Sequence, residues 1–277
     1  MSVSVSLLQN FTSTDLYVDP YPHIIIESAL PQSLCDELRA TYPSLESQGI
    51  DEALDNERWS TKARACPTIP GIAPIWAETI AYHSSQAFLD EVLEVFSGPL
   101  LKLYPTRFPN QSTLRNQRAV IRDINDLEPG VLSLDAQICG NTPARTPGAP
   151  RGVHLDSPNA LYGGLYYLRD TDDDSVGGDL QIWKWKSNYS FRKKSGEYKE
   201  NVPYQHVELV KTVPYKANTL VLFVNSIDSL HSVTVRQPTR HTRKFINLLA
   251  DSDQNFFSLD PLFHLRVRNF VNRKLSL

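Results

Sequence analysis

The stretch "RGVHLDSPN" sets His154 and Asp156 two residues apart, just before the strand-like run "LYGGLYYLRD". In extended backbone, residues i and i+2 point the same way, so an imidazole and a carboxylate at this spacing can reach one metal ion from a single strand end. With seven His and 19 Asp in 277 residues, about half of one such pair is expected by chance. The pair therefore needs a third ligand before it means anything.

Two imidazoles and one carboxylate on one face of a metal are the ligand set of mononuclear non-haem iron, with the opposite positions left open for a cosubstrate and dioxygen. His231 is the best third ligand: it follows the most apolar run of the chain, "TLVLFVNS", and opens the short strand-like "HSVTVR". His23 abuts an N-terminal strand, His83 falls in a helix, His206 in a charged loop and His264 near the tail, which leaves His241 as the rival. A dicarboxylate cosubstrate would also need a cation, best a guanidinium offering two parallel hydrogen bonds. Arg240 and Arg243 lie nine and twelve residues after His231. Arg243 is favoured because it opens the apolar run "RKFINLLAD", whereas Arg240 sits in the turn-like "QPTRHT".

The elements that must position these residues are legible in outline. In "DPYPHIIIESALPQSLCDELRATYPS", the β-branched run Ile24 to Ile26 predicts a strand, Pro31 a helix start, and Leu34, Leu38 and Tyr42 recur at helical spacing. One further helix is expected over "IPGIAPIWAETIAYHSSQAFLDEVLEVFSGPLLKLYP", interrupted at Gly98-Pro99. From "LEPGVLSLDAQI" onward the pattern turns to strands: "GGLYYLRD", "GGDLQIWKW", "HVELVKTVP", "NTLVLFVNS", "HSVTVR" and "RKFINLLAD", separated by Gly, Pro, Asn or Asp. Many strands without intervening helices predict a mainly β protein with supporting α, an antiparallel sandwich or barrel with the N-terminal helices packed on one side. No flexible linker marks a boundary, so residues 1–277 are expected to form one domain: helical support over 1–129, a β core over 130–251 and an extension over 252–277.

Bulk properties narrow the partners. A chain that is 41% hydrophobic and 21% charged can bury a sizeable core. Its net charge of −3 and the lack of a basic block beyond "FRKKSGEYK" argue against nucleic-acid binding. Cys35, Cys66 and Cys139 form no C-x-x-C pair, which argues against a disulfide framework or structural zinc and fits a reducing cytoplasm. Neither a secretory leader nor a membrane span is expected. Oligomeric state is left open.

Taken together, "HLDSPNALYGGLYYLRDTDDDSVGGDLQIW", "NTLVLFVNSIDSLHSV" and the arginine-led strand resemble the Fe(II)- and 2-oxoglutarate-dependent oxygenases of the prolyl-hydroxylase-like branch. The resemblance covers roughly residues 130 to 251, and "DPYPHIIIESALPQSLCDELRATYP" is similar to the leader that often precedes this core. It implies a double-stranded β-helix, a jelly roll, with iron on His154, Asp156 and His231, and 2-oxoglutarate held by Arg243 or Arg240 with help from Tyr167. It implies hydroxylation of an unactivated C–H bond in an amino acid, a peptidyl residue or a small natural product, with dioxygen consumed, succinate released and ascorbate an optional stimulant. Asp156 favours hydroxylation over halogenation, since related halogenases carry a small residue there. Gly177 and Gly178 match the paired-glycine turn of the family and are read as structural. Asn159, Tyr162, Gln137 and Trp183 lie near the motifs without an assigned role, and the long connection over 184–205 departs from the family pattern as either a substrate cover or a solvated insertion. Two alternatives stand beside this reading: a cupin-type metal enzyme, which would usually show an H-x-H that this chain lacks, and a non-catalytic binding module on the same scaffold.

Overall fold

The computed structural model describes residues 6–122, 127–149, 151–186 and 202–258. Most of the 184–205 connection and of the C-terminal extension lies outside the described residues. The chain begins with strands β1 (Leu16–Tyr17) and β2 (His23–Glu27), helix α1 (Gln32–Ala40) and strand β3 (Arg58–Thr61). Helices α2 (Pro74–His83), α3 (Gln86–Val95), α4 (Ser97–Leu103) and α5 (Gln111–Arg115) precede β4 (Arg118–Ile121). Seven strands follow: β5 (Val131–Asn141), β6 (Ala160–Tyr167), β7 (Leu180–Trp185), β8 (Val207–Val213), β9 (Thr219–Val224), β10 (His231–Val233) and β11 (Arg243–Ser252).

The single helix expected over residues 69–105 is broken into three. The break after α2 falls at Ser84 and Ser85, and the Ser85 hydroxyl caps α3 by accepting from the Phe88 N–H. Gly98-Pro99 does not interrupt a helix. It lies in the first turn of α4, where a missing N–H leaves no hydrogen bond unmade.

Strand order identifies the fold. The large sheet runs β1-β2-β9-β6-β11-β5-β3, and the small one β10-β7-β8. His154 adds a one-residue strand to the small sheet, exchanging both backbone hydrogen bonds with His231 at 3.0 and 3.1 Å. From β5 onward the strands pair antiparallel and the chain crosses repeatedly between the two sheets, with β7 and β8 a hairpin of the small one, which is the double-stranded β-helix or jelly roll.

Residue parity on the large sheet separates core from cavity. Leu132, Leu134, Ala136 and Ile138 of β5 and Ile246, Leu248 and Ala250 of β11 pack outward with Trp76, Ile80, Phe88 and Val92 of the helices in one core cluster. Each buried Leu, Ile, Val or Phe among them contributes about 1.5–3 kcal/mol. The helices thus sit on one face of the large sheet, as expected. The alternate residues, Gln137, Asn141, Arg243, Phe245, Asn247 and Asp251, face the space between the sheets and line a cavity. That is why β5, buried on both faces, tolerates Ser133, Asp135, Gln137 and Asn141 among its apolar residues. No helix among the described residues is long and apolar enough to cross a membrane.

Candidate metal centre

Three side chains meet at one end of this cavity. His154 comes from the bridge residue of the small sheet, His231 from the first position of β10, and Asp156 from the segment between His154 and β6. Asp156 Oδ1 lies 3.7 Å from His154 Nε2, and Asp156 Oδ2 lies 3.7 Å from His231 Nε2. Two donors that share an ion at about 2.0–2.2 Å can be no more than about 4.4 Å apart, and both separations fall inside that limit. The three ligand atoms form a group able to hold a metal ion.

Backbone carbonyls set the tautomers. His154 Nδ1 donates to the Gly152 carbonyl at 2.7 Å and His231 Nδ1 to the Ser229 carbonyl at 2.9 Å, so in both rings Nε2 is the nitrogen turned toward Asp156. Burial, and then the neighbouring His231, pulls His154 down to about 3, which leaves it neutral and able to ligate at ordinary pH. Burial alone would raise the Asp156 carboxyl. The surrounding His231, His154, Arg151 and Arg58 outweigh it and hold Asp156 below the usual carboxylate range.

The backbone of β6 makes room for this group. A Cβ at Gly163 would stand 3.0 Å from Asp156 Oδ2 and 3.0 Å from the Phe223 ring. Phe223 also packs on His231, ring centres 4.7 Å apart. A glycine inside a strand often marks such a close approach.

Deeper in the same cavity Arg243 is 2% exposed. Its Nε donates to the Gly178 carbonyl at 2.8 Å, while among the described residues its terminal nitrogens reach Asn141 Oδ1 at 3.4 Å and the Tyr167 hydroxyl at 3.3 Å. Rings of Phe245, Tyr167 and Tyr215 lie 4.7, 5.2 and 5.3 Å from the guanidinium. Among the described residues this buried cation has no carboxylate partner. Beside it, Asn141 Nδ2 is buried with no hydrogen-bond acceptor. Burial raises the Tyr167 hydroxyl above its ordinary value against the opposing Arg243 charge, so it stays a neutral donor. A buried guanidinium, an orphaned amide donor and a phenol together suit a carboxylate.

The Gly177-Gly178 turn positions the arginine. Both residues have positive φ, +86° and +84°, and a Cβ at Gly177 would collide with the Val235 carbonyl oxygen at 1.9 Å. The turn delivers the Gly178 carbonyl to Arg243 Nε.

The remaining residues singled out from the sequence separate cleanly. Arg240 is exposed and does not line the cavity, so it is corrected as a cosubstrate ligand: Pro238 and the turn around it direct it outward. His241 lies against Asp174, 3.5 Å away, rather than with the other two imidazoles. Gln137 and Tyr162 line the cavity. Trp183 instead donates to Ser232 Oγ at 2.8 Å within a separate cluster, and Asn159 ties to the Ser252 carbonyl at 3.2 Å. Sequence reasoning missed Gly163, Asn141 and Arg58. Only Gly163 carried a local signal, as a glycine inside a strand-like run.

No family model matches the chain, and no curated protein matches it. Among solved structures it is similar to a Pseudomonas putida prolyl-4-hydroxylase, at 16% identity over 83% of this chain and 92% of that one, with a TM-score of 0.43. It is similar to a Trichoplax adhaerens prolyl hydroxylase in complex with a hypoxia inducible factor peptide fragment, at 14% identity over 83% and 84%, TM-score 0.46. Streptomyces hygroscopicus HygX with nickel and 2-oxoglutarate bound matches at 13% identity over 83% and 82%, TM-score 0.40.

Proposed function

We propose that the chain is an Fe(II)- and 2-oxoglutarate-dependent dioxygenase that hydroxylates an unactivated C–H bond of a small molecule or a peptidyl residue. The observation that carries the reading is the buried Arg243, without a carboxylate partner among the described residues, in the same cavity as the His154, Asp156 and His231 cluster. A metal centre alone has no need of a second, deep anion site. A dicarboxylate cosubstrate would need one for its second carboxylate.

In this reading His154 Nε2, Asp156 and His231 Nε2 hold the iron. Iron(II), 2-oxoglutarate and dioxygen supply the oxidising chemistry, yielding succinate and carbon dioxide beside the hydroxylated product. The protein's part is positional. Arg243, steadied by the Gly178 carbonyl, and the Tyr167 hydroxyl take the far carboxylate of 2-oxoglutarate, with Asn141 Nδ2 as a further donor. Leu180, Phe223, Val233 and Phe245 supply apolar walls that limit water around the reacting groups. Asp156 completes a ligand set with no gap for a halide, which supports hydroxylation. Cys35, Cys66 and Cys139 are all buried and free, and a reducing cytoplasm is the location we propose.

The test is succinate formation from 2-oxoglutarate in the presence of Fe(II) and ascorbate, for the wild type and for His231→Ala. The reading expects slow turnover in the wild type without prime substrate and none above background in the variant. Equal rates in both would overturn it.

A further inference from the structure

The proposed ligands leave a cationic remainder in the cavity. Four guanidiniums line it, Arg58, Arg122, Arg151 and Arg243, against the two carboxylates of Asp156 and Asp251, in a chain whose net charge is −3. A divalent metal and a doubly negative cosubstrate cancel each other, so the excess of positive charge persists after both are bound. Something anionic is still owed to this space.

Three of the four arginines are already assigned. Arg122 pairs with Asp251 at 2.8 Å, Arg151 lies 3.6 Å from Asp156 Oδ1, and Arg243 belongs to the cosubstrate in the reading above. Arg58 differs: among the described residues no ion pair joins it to a carboxylate, its charge acts on Asp156 only from a distance, and its guanidinium lies 6.0 Å from the Phe245 ring.

Register explains where it points. Arg58 of β3 stands opposite Asn141 of β5, which stands opposite Arg243 of β11, so all three share the cavity face of the large sheet. Their guanidiniums diverge from there. Arg243 turns inward to Gly178, Tyr167 and Tyr215 and is buried. Arg58 lies over the Phe245 ring on the cavity wall and is exposed on the strand that ends the large sheet. A deep cation suits a cosubstrate that is enclosed. A cation at the mouth suits a molecule that enters later and leaves as product. Ser60, two residues along the same strand face, adds a hydroxyl beside it.

We propose that Arg58, with Ser60, binds the carboxylate of the prime substrate, and that this substrate is a small carboxylic acid rather than a neutral peptidyl residue. This rests on the dioxygenase reading above. The cavity, about 330 Å³, lies at the small end of ligand pockets and must house the cosubstrate as well. The charge-neutral amides opposite, Gln137 and Asn247, are already hydrogen-bonded to each other at 3.1 Å, so the open polar demand is for an anion. Arg58 is then a specificity-determining residue.

The test uses ligand-detected NMR on protein loaded with Zn(II) and 2-oxoglutarate, which cannot turn over. The probes are the proteinogenic L-amino acids and C4 to C6 monocarboxylic acids, each paired with its own carboxamide. At least one acid binds the wild type and its carboxamide does not. Arg58→Gln weakens that acid by roughly tenfold to a hundredfold, the loss of a charge-assisted hydrogen bond, while 2-oxoglutarate affinity is unchanged and Arg58→Lys recovers part of the loss. If no acid binds in preference to its carboxamide, the substrate class is wrong. If Arg58→Gln weakens 2-oxoglutarate instead, Arg58 belongs to the cosubstrate and the assignment is overturned. A wild type that binds no 2-oxoglutarate in the presence of metal refutes the dioxygenase reading itself, and the substrate assignment falls with it.

Discussion

Replacing Gly163 by alanine tests how closely β6 supports the candidate metal centre. The added Cβ would meet Asp156 Oδ2 at 3.0 Å, Phe223 Cζ at 3.0 Å and Phe223 Cε2 at 3.2 Å, all tighter than ordinary van der Waals contact. Phe223 is held between the rings of Tyr21 and His231, with centres 6.1 and 4.7 Å away, so it has little room to retreat. The Asp156 side chain is 28% exposed and is the group that moves. Overpacking of this kind costs about 1–3 kcal/mol of stability. Displacing a ligand carboxylate should weaken the metal by about 10- to 100-fold, the usual effect of disturbing the support of a ligand. Gly164→Ala is the matched control. Its Cβ would meet Leu222 Cδ1 at 2.5 Å and the Val221 carbonyl oxygen at 2.8 Å, a clash away from the metal ligands. Calorimetric titration with Co(II), beside thermal melts of both variants, separates the effects: Gly164→Ala lowers Tm with metal affinity kept, and Gly163→Ala loses metal affinity. Wild-type metal affinity in folded Gly163→Ala would mean that β6 does not support the position of Asp156.

Other consequences follow from the same geometry. Arg243→Gln should weaken 2-oxoglutarate by about 2–5 kcal/mol, as for one partner of a buried charge pair, and Tyr167→Phe by about 1 kcal/mol, roughly fivefold; titration of 2-oxoglutarate into metal-loaded protein checks both. Metal at 100 times its Kd should stabilise the wild type by about 2.7 kcal/mol, read as a rise in Tm, and His231→Ala should abolish the rise. Burial pulls His83 from its ordinary 6.5 to about 4, while its Nε2 accepts from the Leu7 N–H at 3.1 Å. The unfolded chain therefore binds a proton between pH 6.5 and 4 that the folded chain refuses, and up to about 3 kcal/mol of stability is lost as pH falls through that window. Chemical denaturation at several pH values should show this fall, and His83→Gln, which can keep both hydrogen bonds, should flatten it.

Much of the architecture was legible because strand periodicity survives where one face is covered by helices and the other by a cavity. The runs from "GGLYYLRD" to "RKFINLLAD" all became strands. Helix boundaries were less legible, since Ser84-Ser85 ends one helix through a cap that an apolar pattern does not register. At the site, His154, Asp156 and His231 carried their spacing and flanking strands in the sequence, and the structure brings them together. Arg243 separated from Arg240 by the burial of its strand. Arg58 and Asn141 could not be found that way. They join the cavity through the pairing of β3 with β5, a contact across 80 or so residues that no local pattern encodes.

In the proposed function one metal on His154, Asp156 and His231 and one 2-oxoglutarate on Arg243 share the cavity. Anomalous diffraction from crystals grown anaerobically with Fe(II) and 2-oxoglutarate tests it directly. The expected density is one iron at about 2.0–2.2 Å from His154 Nε2, an Asp156 oxygen and His231 Nε2, with the far carboxylate of 2-oxoglutarate on Arg243. Iron held elsewhere, for instance by Asp173, Asp174 and His241, or 2-oxoglutarate lying away from Arg243, would contradict it.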